Sequence, residues 1–200
     1  MKVKILSKQT PYQGFLAIAV YELQHELFAG GWSTPLRREL LVRGKAVAVL
    51  LHDPISDQVL LVEQFRIGAL HPISTEQEDE ADPAWQLEIV AGILEAGESP
   101  EDVARREAME EAGCSVQQLE PIIEYYPSAG GCNERISVFY AAVDLSATSA
   151  GFYGLASEHE DIRTQLLPFE DCMALLNSGK IQSSMTIIAL QWLALRKATR

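Results

Sequence analysis

The chain has 200 residues, 48% of them hydrophobic and 22% charged, a globular composition that excludes disorder and suffices to bury one full core. Against 16 basic residues stand 28 acidic ones, and the net charge of −12 excludes a general nucleic-acid binder, so an anionic substrate must be met by local arginines or metal ions. Cys114, Cys132 and Cys172 form neither a CxxC pair nor a disulfide framework. With no leader-like segment and no membrane-length apolar run, the expectation is a soluble cytoplasmic protein.

Residues 14–28 alternate as one long strand, and Ala-Gly-Gly at 29–31 closes a turn. Strands are predicted over 37–43 and 45–52, on either side of Gly44, and over 58–67 after the turn at 53–57. The acidic, proline-bracketed segment 71–83 reads as a loop. Residues 85–92 (WQLEIVAG) read as one strand entering a glycine-containing segment. A helix follows with clear punctuation. Ser99 is its N-cap, Pro100 takes the first position, Asp102 completes a capping box, and Gly113 stands where a C-terminal glycine belongs. Strands over 119–126 and 135–145 flank a loop, a Gly/Ser-rich loop spans 146–157, and a last strand covers 161–168. Helices over 169–178 and 183–197 close the chain. Many strands with few helices predict an α+β fold built on a mixed sheet. Residues 1–44 are expected to form a small N-terminal antiparallel sheet region and residues 45–200 the main domain.

The predicted helix carries the chemistry. Glu107, Glu110 and Glu111 share one helix face and repel one another, whereas a helix serving folding alone would interleave lysines. Clustered carboxylates suit a hard divalent cation. A glutamate-rich stretch by itself is usually a solvated face, but the wider spacing overrides that reading. Gly92 is followed after five residues by Glu98, after seven more by Arg106-Glu107, and then by Glu110-Glu111 and Gly113. This resembles the signature G-x5-E-x7-R-E-U-x-E-E-x-G-U of the Nudix hydrolases, with every fixed position filled. Ala108 and Cys114 occupy positions that are normally bulky and aliphatic.

The resemblance implies a Nudix-type α/β/α sandwich with a mixed sheet, in which the preceding strand ends near Val90. It implies that the carbonyl of Ala91 and the carboxylates of Glu107 and Glu111 hold Mg²⁺, with Mn²⁺ as the alternative ion. Glu110 would bridge or support catalysis, Glu98 would hold the loop, and Arg106 would hold the acidic cluster.

RRELLVRG (37–44), VEQFR (62–66), GGCNER (130–135) and EHEDIR (158–163) extend the likeness to the bacterial ADP-ribose pyrophosphatases, a branch of that family. Members of that branch are homodimers whose N-terminal sheet crosses to the partner; the same strand read on its own equally completes its own sheet. The implied reaction is hydrolysis of ADP-ribose to AMP and ribose 5-phosphate. Another nucleoside diphosphate sugar such as GDP-mannose is the alternative substrate, and a non-catalytic ADP-ribose sensor the alternative class. By the same resemblance Arg38, Glu39, Arg43 and Arg66 meet the substrate. Phe15 and Leu16 lie at the adenine, although a Phe in an apolar strand is more often core. Ser128, Ala129, Gly130 and Glu134 match the loop at the terminal ribose, where a plain hairpin turn is the other reading. The branch typically has a proline where this chain has Ala129. Glu158 is the implied base and Glu160 an additional Mg²⁺ ligand, in either order, with His159 a lesser candidate for the base.

Overall fold

The computed structural model describes residues 1–70, 84–148 and 150–199, with the side chain of Glu158 excepted; the loop expected over 71–83 lies outside the described residues. The chain divides into two compact units, Met1–Lys45 with Tyr125–Arg135, and Ala46–Glu124 with Ile136–Arg200.

The first unit is a three-stranded antiparallel meander of β1 (Val3–Gln13), β2 (Ala17–His25) and β3 (Leu36–Val42). The single strand expected over 14–28 is therefore shorter, and its partner is a strand that the alternation did not announce. Every residue of β1 is exposed, so no buried face imposes a period of two on its sequence. Its register against β2 slips between Gln9 and Tyr12, where Pro11, lacking an N–H, falls at the irregularity. Ala29, Gly30 and Gly31 turn the chain as expected, with the Leu27 N–H donating to the Gly31 carbonyl at 3.0 Å and both glycines at positive φ. Residues 125–135 are clamped to the end of β3. There the Leu41 N–H donates to the Gly131 carbonyl (2.8 Å) and the Asn133 N–H to the Leu41 carbonyl (3.2 Å).

The larger sheet is mixed and eight-stranded. It contains β4 (Lys45–Asp53), β5 (Gln58–Phe65), β6 (Trp85–Glu88), β7 (Val90–Ile93), β8 (Glu120–Tyr125), β9 (Arg135–Ala142), β10 (Phe152–Tyr153) and β11 (Ile162–Pro168). Its order is β10-β11-β5-β4-β9-β8. Among the described residues three helices complete it: α1 (Pro100–Ala112), α2 (Phe169–Asn177) and α3 (Ser184–Ala198). Among the described residues no helix is long and apolar enough to cross a membrane.

One feature of this sheet creates the site. β4 and β5 pair only through Leu51–Asp53 and Gln58–Leu60, then diverge. The chain at 85–93 fills the fork, with β6 running along β5 and β7 along β4. The one strand expected over 85–92 is thus two, switching partners at Ile89. That residue is fully buried, and its N–H leaves the ladder to donate to Thr186 Oγ1 of α3 at 3.0 Å. The strand also runs past Val90, to Ile93. The segment 146–157, expected as loop, contains β10 and a 3-10 turn at Ala156–Glu158. A two-residue strand is too short to show a pattern.

Alternation along β4 and β5 sends Val47, Val49, Leu51, Leu60 and Val62 to one face. There they pack on Val103, Ala104, Ala108 and Ala112 of α1, so the small Ala108 serves a close helix–sheet approach. On the other face His52 stacks near Tyr140 (5.9 Å between ring centroids) and Tyr140 near Trp192 of α3 (5.3 Å).

Asp57, in the β4–β5 turn at φ 54, ties this end together by bonding His52 Nε2 at 3.1 Å and Lys197. The Lys197 ammonium, and then the His52 ring, hold its carboxyl below the ordinary carboxylate range. A lowered folded-state pKa gives stability that is present above the unfolded value near pH 4 and lost as acid protonates the group. Asp57→Asn tolerates the same backbone conformation, so it tests the charge alone. Because the pair is half exposed, urea denaturation at pH 7 should show a loss of about 1 kcal/mol or less, and the gap to wild type should shrink toward pH 3.

Candidate active site

The phase of α1 is set at both ends. Asp102 N–H donates to Ser99 Oγ (3.2 Å) while the Asp102 carboxylate accepts the Ser99 N–H (3.1 Å), so the capping box is formed; such a cap contributes about 1 kcal/mol. At the other end Gly113 is left-handed (φ 63), and Cys114 N–H closes on the Ala108 carbonyl at 2.9 Å. Between these stops Glu107 and Glu111 face the fork of the sheet and are buried, at 8% and 1% exposure.

Arg106 gathers three carboxylates. Its guanidinium donates to Glu98 (2.9 and 3.2 Å), Glu107 (2.7 Å) and Glu110 (3.0 Å), and more distantly to the Ile93 carbonyl (3.4 Å). The Glu98 bond, followed by the charge of Glu107, raises the arginine above its usual range despite burial. Glu98 also accepts the Glu95 N–H (3.1 Å), which ties the preceding loop to the helix. Glu98 is held below the ordinary carboxylate range, first by Arg106 and then by that N–H.

Glu111 is held differently. Its Oε2 accepts the Ala91 N–H at 3.0 Å, and among the described residues its Oε1 has a single long contact, 3.4 Å from the Gln64 amide. Burial pushes its carboxyl up to about 8; the Ala91 N–H and the Arg66 charge oppose this, while Glu107 and Glu160 reinforce it. Burial likewise raises Glu107, against the pull of Arg106 and with the push of Glu110 and Glu160. When ionised, these two buried carboxylates thus carry more negative charge than their partners among the described residues offset.

Gly92 owes its identity to this cluster. A Cβ built there would lie 1.7 Å from Glu107 Oε1 and 2.0 Å from its carboxyl carbon. The glycine is needed because the glutamate occupies that space.

Among the described residues no three acidic, imidazole or thiol side chains already converge as a finished cation site. The donor set nevertheless fits a hard divalent ion: buried oxygens with surplus negative charge beside a strand backbone. Glu160 contributes to this surplus, and its Oε2 accepts the Leu155 N–H at 3.2 Å. Glu158 ends the 3-10 turn, and its side chain lies outside the described residues; His159 beside it is exposed and left-handed at φ 57.

Arg66, at the end of β5, donates its Nε to the buried Glu88 at 2.7 Å. The other sequence-derived candidates belong to the first unit. Phe15 is 90% exposed in the β1–β2 connection, with Leu16 half-buried beside it; the reading of Phe15 as core is overturned. Arg38 and Glu39 are exposed on β3, Arg38 donating to the Arg37 carbonyl (2.9 Å) and Glu39 facing Arg37 (3.5 Å). Arg43 pairs with Glu134 at 3.0 Å, and its N–H donates to the Asn133 side chain at 2.9 Å. Ser128, Ala129 and Gly130 form the turn of that clamp, the Ser128 carbonyl accepting the Cys132 N–H at 2.9 Å.

Gln64 and Glu88 also reach this site and are not among the candidates named from sequence. Both stand on the α1 face of β5 and β6, and alternation from the core residue Val62 was the signal that would have found Gln64.

A family model described as the NUDIX domain matches residues 42–186. The chain is 45% identical over 197 residues to an ADP-ribose pyrophosphatase of Haemophilus influenzae, spanning 98% of this chain and 88% of that one. It is 43% identical over 193 residues to an ADP-ribose pyrophosphatase of Escherichia coli K12, spanning 96% and 88%. A GDP-mannose pyrophosphatase of Pectobacterium atrosepticum is 35% identical over 159 residues, spanning 80% and 77%. The solved structure of an ADP compounds hydrolase has the same fold, with a TM-score of 0.73 at 18% identity over 100% of this chain and 96% of that one.

The steric account of Gly92 is open to test by chemical denaturation. Gly92→Ala should destabilise the protein by about 1–3 kcal/mol, as overpacking does. Adding Glu107→Ala should recover much of that loss, since the clashing carboxylate is gone.

Proposed function

The chain belongs to the NUDIX family, and on that premise we propose that it hydrolyses ADP-ribose to AMP and ribose 5-phosphate with a divalent cation, acting in the cytoplasm. The observation that carries this reading is Glu111, almost fully buried on one backbone N–H and one long amide contact, beside a second buried carboxylate.

Glu107, Glu111, the Ala91 carbonyl and Glu160 would hold Mg²⁺, or Mn²⁺ in its place. Such an ion supplies charge neutralisation at the diphosphate and a more acidic bound water. Arg106 keeps Glu107 and Glu110 oriented through bonds of 2.7 and 3.0 Å, so that Glu110 supports the reacting end of the helix. Glu158 takes the proton from the attacking water. The water oxygen bonds to the adenosyl phosphorus, and the bridging P–O bond breaks. Its electron pair departs with the ribose 5-phosphate.

Arg66, braced by Glu88, meets the phosphates. Arg38, Glu39, Arg43, Glu134 and the Ser128–Ala129–Gly130 turn serve the nucleoside and the terminal ribose, with Phe15 and Leu16 at the adenine. The ring of Phe15 is free to stack, being 90% exposed. A homodimer in which the β1–β3 sheet serves the partner's site fits the exposure of β1, whose Val3, Ile5 and Tyr12 are each 59–63% exposed. Ala129, in place of the proline typical of ADP-ribose enzymes, favours keeping GDP-mannose as the second substrate reading.

Glu111→Gln and Glu158→Gln should each lower turnover of ADP-ribose by about 10²-fold or more while the fold persists. Hydrolysis in ¹⁸O-water should place the label in AMP. Label in ribose 5-phosphate would move the attack to the other phosphorus, and a faster kcat/KM on GDP-mannose would replace the substrate.

A further inference from the structure

The segment 150–160, which brings Glu158 and Glu160, is tied to the helix at a point the reaction chemistry does not explain. The ring of Tyr153 lies in a slot between two glycines. A Cβ added at Gly113 would come within 2.9 Å of its Cε1, and one at Gly151 within 2.9 Å of its Cε2. One wall of that slot is the last turn of α1. The other wall is fixed to β11, since the Gly151 N–H donates to Thr164 Oγ1 (2.9 Å) and the Thr164 N–H to the Gly151 carbonyl (3.0 Å). Thr164 itself is buried, so the wall is firm.

Past the ring, the chain continues to the loop carboxylates under similar restraint. The Gly154 N–H donates to the Glu110 carbonyl at 3.3 Å, reaching the same helical turn as Glu110 and Glu111. The Leu155 N–H donates to Glu160 Oε2, and a Cβ at Gly154 would lie 2.7 Å from the Glu160 Cβ. Tyr153 is therefore a large side chain wedged between the helix end and the strand anchor of this loop. A loop left to its own entropy would scatter its carboxylates, and displacements of about 1 Å cost about 10²-fold in rate.

We infer that Tyr153 is a positioning residue: its ring, seated between Gly113 and Gly151, registers the Glu158–Glu160 loop against the C-terminal turn of α1. The role rests on the hydrolytic reading of the site. It also gives Gly113 a second duty beside ending the helix.

The test compares wild type with Tyr153→Phe, Tyr153→Ala, Gly151→Ala and the Gly151→Ala/Tyr153→Ala pair. Gly151 is outside the positive-φ glycines, so an alanine there adds a methyl without backbone strain. Tyr153→Ala should lower kcat on ADP-ribose by about 10²-fold with KM within about threefold, and Tyr153→Phe, which keeps the ring, should restore most of it. Gly151→Ala should lower kcat when the ring is present and add nothing once the ring is gone. In the metal-free protein, Tyr153→Ala should speed amide exchange at Gly154 and Leu155 while the exchange of β4 stays slow. Unchanged kcat in folded Tyr153→Ala, additive effects in the pair, or unchanged exchange at both amides would each overturn the inference. Wild type inactive on ADP-ribose would instead defeat the functional reading, and the exchange result would still decide whether Tyr153 pins the loop.

Discussion

Everything in the larger unit is arranged around the burial of Glu107 and Glu111 on one face of α1. Taking ionised carboxylates out of water is costly unless they are paired, and here the pairing within the chain is incomplete. Arg106 satisfies Glu107 at 2.7 Å but is shared with Glu98 and Glu110, and it makes no bond to Glu111. Burial first, and then the charges of Glu107 and Glu160, push the Glu111 carboxyl up to about 8, so that folding near neutral pH favours a proton, or a cation, in the site. A sequence selected for stability alone would have placed an apolar residue there.

The fold accommodates this burden through backbone arrangement. The divergence of β4 from β5 opens a fork, and the partner switch at Ile89 lines it with β6 and β7. That switch brings the Ala91 N–H to Glu111 and leaves Gly92 bare beside Glu107. Ser99 and Gly113 hold α1 between firm ends, so neither carboxylate is free to rotate out of the fork. The same glycine gives Tyr153 its seat, which links the loop of Glu158 and Glu160 to the helix. The arrangement of an acidic helix, a split strand and a pinned loop is what hydrolysis of a nucleoside diphosphate sugar asks for. Arg66, just past the end of β5, supplies positive charge toward Glu111 within a strongly acidic chain.

How much of this was legible in the sequence follows from how local each cause is. The cap of α1, the phase of its glutamates and the glycine that ends it depend on residues within one or two turns, and they read directly from spacing. The signature from Gly92 to Cys114 did the same for the family. β1 was illegible because exposure on both faces removes alternation, and β10 because two residues carry no period. The switch at Ile89 was hidden for another reason: its partner Thr186 lies 97 residues away. Phe15 looked like core by residue type, but it stands at the tip of the β1–β2 turn, which the Gly14 N–H closes on the Leu16 carbonyl at 2.8 Å, and there it is exposed. The pairing of Arg66 with Glu88 likewise joins two residues that the sequence separates by 22 positions.

The claim beneath all of this is that Glu111 is kept for a cation at the expense of stability. Thermal unfolding of wild type and Glu111→Gln at neutral pH, with chelator and with Mg²⁺, measures it directly. Without cation the variant should melt at or above wild type, and Mg²⁺ should raise the melting temperature of wild type alone. A variant that melts below wild type in chelator, with Mg²⁺ raising both proteins equally, would contradict it.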